Sequence, residues 1–137
     1  MKYTKKIIFS FLIFFLYILN VNAELKIDIT SGYTEPTPIG IHEFIGTNDE
    51  EKALAKQITK LVIADLNNSG LFKIIDPKAY IQEISSPNIM PKFSDWKVIN
   101  AQALIVGSSG LTESGHVKIE FRLWDVFAEQ QMAGWAF

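Results

Sequence analysis

The rhythm of apolar and polar positions changes several times along the chain, and each rhythm predicts an element. Leu25, Ile27 and Ile29 alternate with Glu24, Lys26 and Asp28, which puts an apolar row and a charged row on opposite faces of a strand. Thr30 to Pro38 contains Gly32, Pro36 and Pro38, so it breaks that ladder and reads as a loop or linker. Ile39 to Phe44, bounded by Pro38 and Gly46, reads as a short buried strand. From Asn48 to Asn68 the period lengthens. Leu54, Ile58, Leu61, Val62 and Leu66 recur at spacings of three and four, predicting a helix with one apolar stripe. Asn48, with Glu51 three positions later, supplies its cap: the amide oxygen accepts from a free amide while the carboxylate reaches back.

Asn67-Asn68-Ser69-Gly70 tolerates a left-handed backbone and ends the helix, and Leu71 to Ile75 follows at once as a strand. So close a succession belongs to an α/β layer arrangement. Pro77 to Ile84 predicts a short helix, Ser85 to Lys92 a loop and Phe93 to Asn100 a further helix. Ala103 to Val106 is an unbroken apolar run, expected of a strand covered on both faces. Next, Val117, Ile119, Phe121 and Leu123 face one way while His116, Lys118, Glu120, Arg122 and Trp124 face the solvent. This is a half-buried antiparallel strand, joined to its neighbour by a hairpin through Ser108 to Gly115. Met132 to Phe137 starts another strand.

The start of the chain sets the expected compartment. Lys2, Lys5 and Lys6 precede the apolar run Ile7 to Leu19, and Val21-Asn22-Ala23 ends in small residues, the layout of a cleaved secretory signal. The run is shorter than the roughly 20 residues that span a bilayer as a helix, which argues against an uncleaved anchor. Residues 1–23 are therefore expected to be a signal peptide, with residues 24–137 forming one exported domain. Removing 23 of 137 residues leaves 114, enough for one core. The signal carries three of the 13 basic residues and none of the 15 acidic ones, so the mature charge is 10 minus 15, or −5. An acidic product does not hold nucleic acid or an anionic membrane through bulk charge. The chain has no cysteine, which excludes disulfides, thiolate metal sites, a cysteine nucleophile and a lipid-bearing cysteine. Packing must carry the stability, with phenylalanine and tryptophan supplying much of the area.

Candidate chemistry is sparse. His42 and His116 lack partners at metal-ligand spacing, so no metal site is expected. His42 and Glu43 interrupt a strand that otherwise reads as buried, and a satisfied or half-exposed pair explains them better than a catalytic one. Asp65, at the edge of the helix stripe, is expected to accept backbone amides of the neighbouring loop. Gly107-Ser108-Ser109-Gly110 lacks the lysine of a phosphate loop and reads as a hairpin turn. Lys52, Lys56 and Lys60 form a row away from the apolar stripe and read as a solvated face. No cofactor is implied, and an enzyme is not expected.

In this order, "ELKIDITSG", "PIGIHEF", "LVIADLNNSGLFKIID", "WKVINAQALIVGSS" and "KIEFRLWDV" resemble the N-terminal domain of the TolB family, over nearly the whole of residues 24–137. A similar helix-to-strand phrase recurs in other envelope domains, such as those of curli-secretion lipoproteins. The resemblance implies an α/β (α+β) fold, a mixed sheet of about five strands packed against two helices. It also implies location in the periplasm and a role in the Tol-Pal system, in outer-membrane integrity and constriction at division. The family continues into a β-propeller that has no counterpart in these residues, so binding of the lipoprotein Pal is not expected. His42-Glu43 stand where the family tends to have an apolar residue and a proline.

The family's other partner is the periplasmic C-terminal domain of TolA, which engages the mature N-terminal segment. Carried over, that segment is Glu24, Leu25, Lys26, Ile27, Asp28, Ile29, Thr30 and Ser31. An alternating strand at a chain end can add to an exposed sheet edge through main-chain bonds. Four or five bonds at roughly 0.5 to 1.5 kcal/mol each, less the ordering cost, give a modest, reversible affinity. Pairing within the chain's own sheet is the alternative. The alternative function is a binding or assembly domain of another envelope machine, such as a secretion or peptidoglycan-synthesis accessory protein.

Overall fold

The structure is a computed structural model and describes residues 35–137. Five strands form one mixed sheet: β1 (Thr37–Ile41), β2 (Phe72–Ile74), β3 (Ala103–Leu111), β4 (Val117–Asp125) and β5 (Gln130–Ala136). Helix α1 (Asp49–Asn68) joins β1 to β2, and a connector holding a short 3-10 turn at Pro77–Ala79 and helix α2 (Phe93–Val98) joins β2 to β3. The strand order is β2-β1-β3-β4-β5. β1 pairs in parallel with both β2 and β3, while β3, β4 and β5 form an antiparallel meander. The mixed sheet and two helices expected from the sequence are both present.

Each face of the sheet buries its own core. On one face Ile39, Ile41 and Ala103 pack beneath Val62, Ile63 and Leu66 of α1. On the other, Leu104, Val106 and Trp124 meet Phe93 and Trp96 of α2 and Ile84 of the connector. Trp96, Ile39, Ile41, Leu104, Val106 and Val126 are the largest fully buried side chains, each worth roughly 1.5–3 kcal/mol of transfer from water. Pro38 is tolerated inside β1 because it stands at the strand's second position. Its carbonyl accepts from Gln102 N–H at 2.9 Å, so its missing N–H points to the side of β3 but ahead of that strand's first residue.

Several expected details change. The face of β4 read as solvated is not solvated at its end: Trp124 is buried against Phe93, ring centroids 5.8 Å apart, because α2 covers it. The stripe of α1 is rotated from the expected one. Glu51, Ala55 and Thr59 are its buried residues, and Leu61 is 62% exposed. Pro77 to Ile84 forms only the 3-10 turn Pro77–Ala79, since Tyr80 at the C-cap is already extended. Gly107 to Gly110 is not a turn but the second half of β3. Gly107 leaves room for the Phe44 ring, whose Cε1 would lie 2.3 Å from any added Cβ. The hairpin bend is Thr112 to His116, where Gly115 takes φ +79°.

Candidate partner-binding surfaces

The first turn of α1 is fixed to the far end of β3. Asn48 Oδ1 accepts Glu51 N–H at 2.9 Å, the expected cap. The Glu51 carboxylate reaches back to Thr47 N–H at 2.9 Å and across to Leu111 N–H at 3.0 Å. The amide of Leu111, then that of Thr47, hold its carboxyl below the ordinary glutamate value, against the smaller opposing effect of burial.

At the carboxyl end of β1 a cluster of side chains clasps the connector. The Tyr80 hydroxyl accepts Ile41 N–H at 2.9 Å and lies 3.2 Å from the Ile75 carbonyl and 3.3 Å from that of Ile41. Burial pushes this phenol above its ordinary value. His42 Nε2 accepts Ile84 N–H at 3.2 Å, which places the ring proton on Nδ1, where it is donated to the Glu43 carbonyl at 2.8 Å. Gln82 Oε1 accepts both Trp96 Nε1–H at 2.9 Å and Lys92 N–H at 2.8 Å. His42 is thus a satisfied structural ligand of the connector, with both ring nitrogens occupied, and Glu43 is exposed.

The α1 side of the β4–β5 ribbon carries the apolar surface. α1 covers β1 to β3 and leaves Val117, Met132, Trp135 and Phe137 about half exposed or more. Phe121 and Trp135 face each other across the two strands with ring centroids 5.7 Å apart. Between this ribbon and the end of α1 runs a groove of about 720 Å³, walled by Leu66, Phe72, Ile105, Leu123, Phe127 and Met132. β5 is also a sheet edge, and its seven residues carry no charge. The sequence signal for this surface was the uncharged run Gln130 to Phe137. The clasp of Tyr80, Gln82 and His42 left no periodic signal, because its residues sit on irregular backbone.

The remaining candidates separate. Glu24 to Ser31 lie outside the described residues. Among the described residues no cluster of three or more metal-ligating side chains forms. His116 Nδ1 lies 2.8 Å from Ser114 Oγ, and Ser114 Oγ 3.0 Å from Thr112 Oγ1, but all three are exposed in the hairpin bend and staple that bend. Asp65 is exposed, and its main-chain oxygen, not the expected carboxylate, accepts Ser69 N–H at 3.0 Å. No helix among the described residues is long and apolar enough to cross a membrane.

The TolB amino-terminal domain family model matches residues 25–132. The chain belongs to the TolB amino-terminal domain family. The Tol-Pal system protein TolB of Paramagnetospirillum magneticum is 48% identical over 118 residues, which is 86% of this chain and 26% of that protein. The chain thus spans about a quarter of the length of this TolB relative. TolB from Acinetobacter baumannii superposes with a TM-score of 0.58 at 19% identity, over 76% of this chain and 23% of that one. The LpoB C-terminal domain from Salmonella enterica also reaches 0.58, at 13% identity over 78% of this chain and 84% of that one. The TolB amino-terminal fold is therefore shared with domains of very different sequence.

Proposed function

We propose that this chain is a periplasmic, non-enzymatic adaptor of the Tol-Pal system, exported after cleavage behind Ala23. Its mature segment Glu24 to Ser31 binds the C-terminal domain of TolA by adding a strand to that partner's sheet. Through that link it serves outer-membrane integrity and constriction at division. The observation that carries the reading is the 48% identity to a Tol-Pal system TolB over nearly the whole chain. Two features support it. The alternation of Leu25, Ile27 and Ile29 with charged residues suits an added strand. Ring nitrogens of His42 and His116 are engaged in structural hydrogen bonds.

Amide exchange with and without the TolA domain tests the reading. Protection appearing at Leu25 to Ile29 is the expected result, and Ile27→Pro, which deletes a ladder donor, is expected to abolish it. Unchanged binding by Ile27→Pro would refute strand addition. Mass spectrometry of the exported product showing residues 1–23 still attached would refute the free terminus.

A further inference from the structure

The lysine row of α1 borders a groove. Lys52, Lys56 and Lys60 line one wall of a depression of about 580 Å³ at the carboxyl end of β1, with Pro77 and Tyr80 of the connector on the opposite wall. Ile41, Phe44 and Ile63 contribute apolar floor. All three lysines are exposed, and among the described residues none pairs with a carboxylate. The chain as a whole is acidic at −2, so this row runs against its net charge. Three like charges in an i, i+4 series repel one another mildly, and an opposite row of charges would relieve that repulsion.

The position is significant on topological grounds. From β1 the chain passes through α1 to β2 on one side, then returns through the connector to β3 on the other. The crevice outside the carboxyl ends of parallel strands, where the order reverses, is where open α/β sheets take ligands.

Spacing then selects the ligand. Lysines four residues apart on a helix recur about every 6 Å along its axis. Side chains on one face of an extended strand recur about every 6.6 Å. Over three lysines the two repeats drift apart by only about 1 Å, well within the reach of a flexible lysine stem. Glu83 on the connector and Glu43 at the end of β1 repel acidic groups on the far wall, so the acidic row of a bound strand must face α1. Its alternate side chains then meet Pro77 and Tyr80.

We propose that this groove docks an extended segment of a partner protein in which acidic residues alternate with apolar ones. The acids pair with Lys52, Lys56 and Lys60, and the apolar side chains pack on Pro77 and Tyr80. None of the groove residues belongs to the segment 24–31, so the proposal stands or falls independently of TolA binding.

The test is an NMR titration of the full chain with a synthetic peptide of alternating glutamate and leucine. A block peptide of the same composition, inorganic phosphate and phosphatidylglycerol vesicles serve as the other arms. Saturable shifts at Lys52 to Lys60, Ile45 and Tyr80 are expected with the alternating peptide, and binding of the block peptide weaker by about tenfold or more. Inverting the three lysines to glutamate is expected to weaken binding by about tenfold or more, with an unchanged circular dichroism spectrum. Should that triple variant misfold, Lys56→Gln and a rise from about 50 to about 300 mM salt give the same readout, each expected to loosen the complex severalfold. No saturable shift, equal binding of the block peptide, or indifference to lysine charge and salt would overturn the proposal. Equal shifts from phosphate would reduce the groove to a simple anion patch, and equal shifts from vesicles would make it a lipid surface; either overturns it.

Discussion

Glu51 and Leu111, sixty positions apart, are joined by a single bond of 3.0 Å from the Leu111 amide to the Glu51 carboxylate. The same carboxylate holds Thr47 N–H, and the Glu51 carbonyl accepts the Ser109 hydroxyl at 3.2 Å. One residue therefore fastens the start of α1 to the end of β3.

That fastening makes stability depend on acid in a defined direction. The folded carboxyl titrates below its ordinary value, chiefly because of the Leu111 and Thr47 amides, so it stabilises the fold at pH above about 4.3, the unfolded value. The contribution is lost as pH falls through the folded value. Glu51→Gln is expected to melt lower than the parent at neutral pH. The gap should narrow as pH falls below the unfolded value, measured by thermal melts across the acid range. A gap independent of pH would show that the charge is not what matters.

Tyr80→Phe leaves Ile41 N–H without its acceptor at the end of β1. The expected loss is about 1–2 kcal/mol by chemical denaturation. Burial holds the phenol above its ordinary value, so the parent keeps its full stability below about pH 10 and loses part of it as pH rises through the folded value, because the buried oxygen must then carry a charge. The phenylalanine variant should lack that alkaline loss.

Gly107→Ala would drive a methyl into the Phe44 ring at 2.3 Å. The expected cost is about 1–3 kcal/mol. Because the clash is with one side chain, Phe44→Leu should cost less in the alanine background than in the parent. A double-mutant cycle measures that coupling.

Met132→Lys and Phe137→Lys alter side chains that are 60% and 73% exposed. Each is expected to change stability by less than about 0.5 kcal/mol. Both should reduce binding of a hydrophobic dye, since they break up the uncovered ribbon face. Undiminished dye binding would mean that the apolar surface lies elsewhere.

Local chemistry was readable from the sequence wherever it repeats or caps. Asn48 and Glu51 announced the start of α1, and the apolar run Ala103 to Val106 announced a strand covered on both faces. Long-range choices were not readable. Trp124 alternates with Leu123 as a solvated residue would, and only the arrival of α2 turns its face into a second core. Gly107 to Gly110 looked like a bend because four small residues in a row permit one. What holds them extended is Phe44, which needs the space, and Glu51, which anchors the strand's end. The lysine row looked like ordinary solvated surface until the connector supplied the opposite wall.

The interior placement of β1, between β2 and β3, bears on how the chain assembles. Thr37 pairs with Phe72, 35 positions on, and Ile39 pairs with Ala103, 64 positions on, whereas β3 to β5 meet through tight bends. Closing such long loops is the slow part of folding. A chain emerging from its amino end therefore exposes this interior strand early and shelters it late, a stretch of time in which Ile39 and Ile41 rely on whatever escorts the newborn polypeptide.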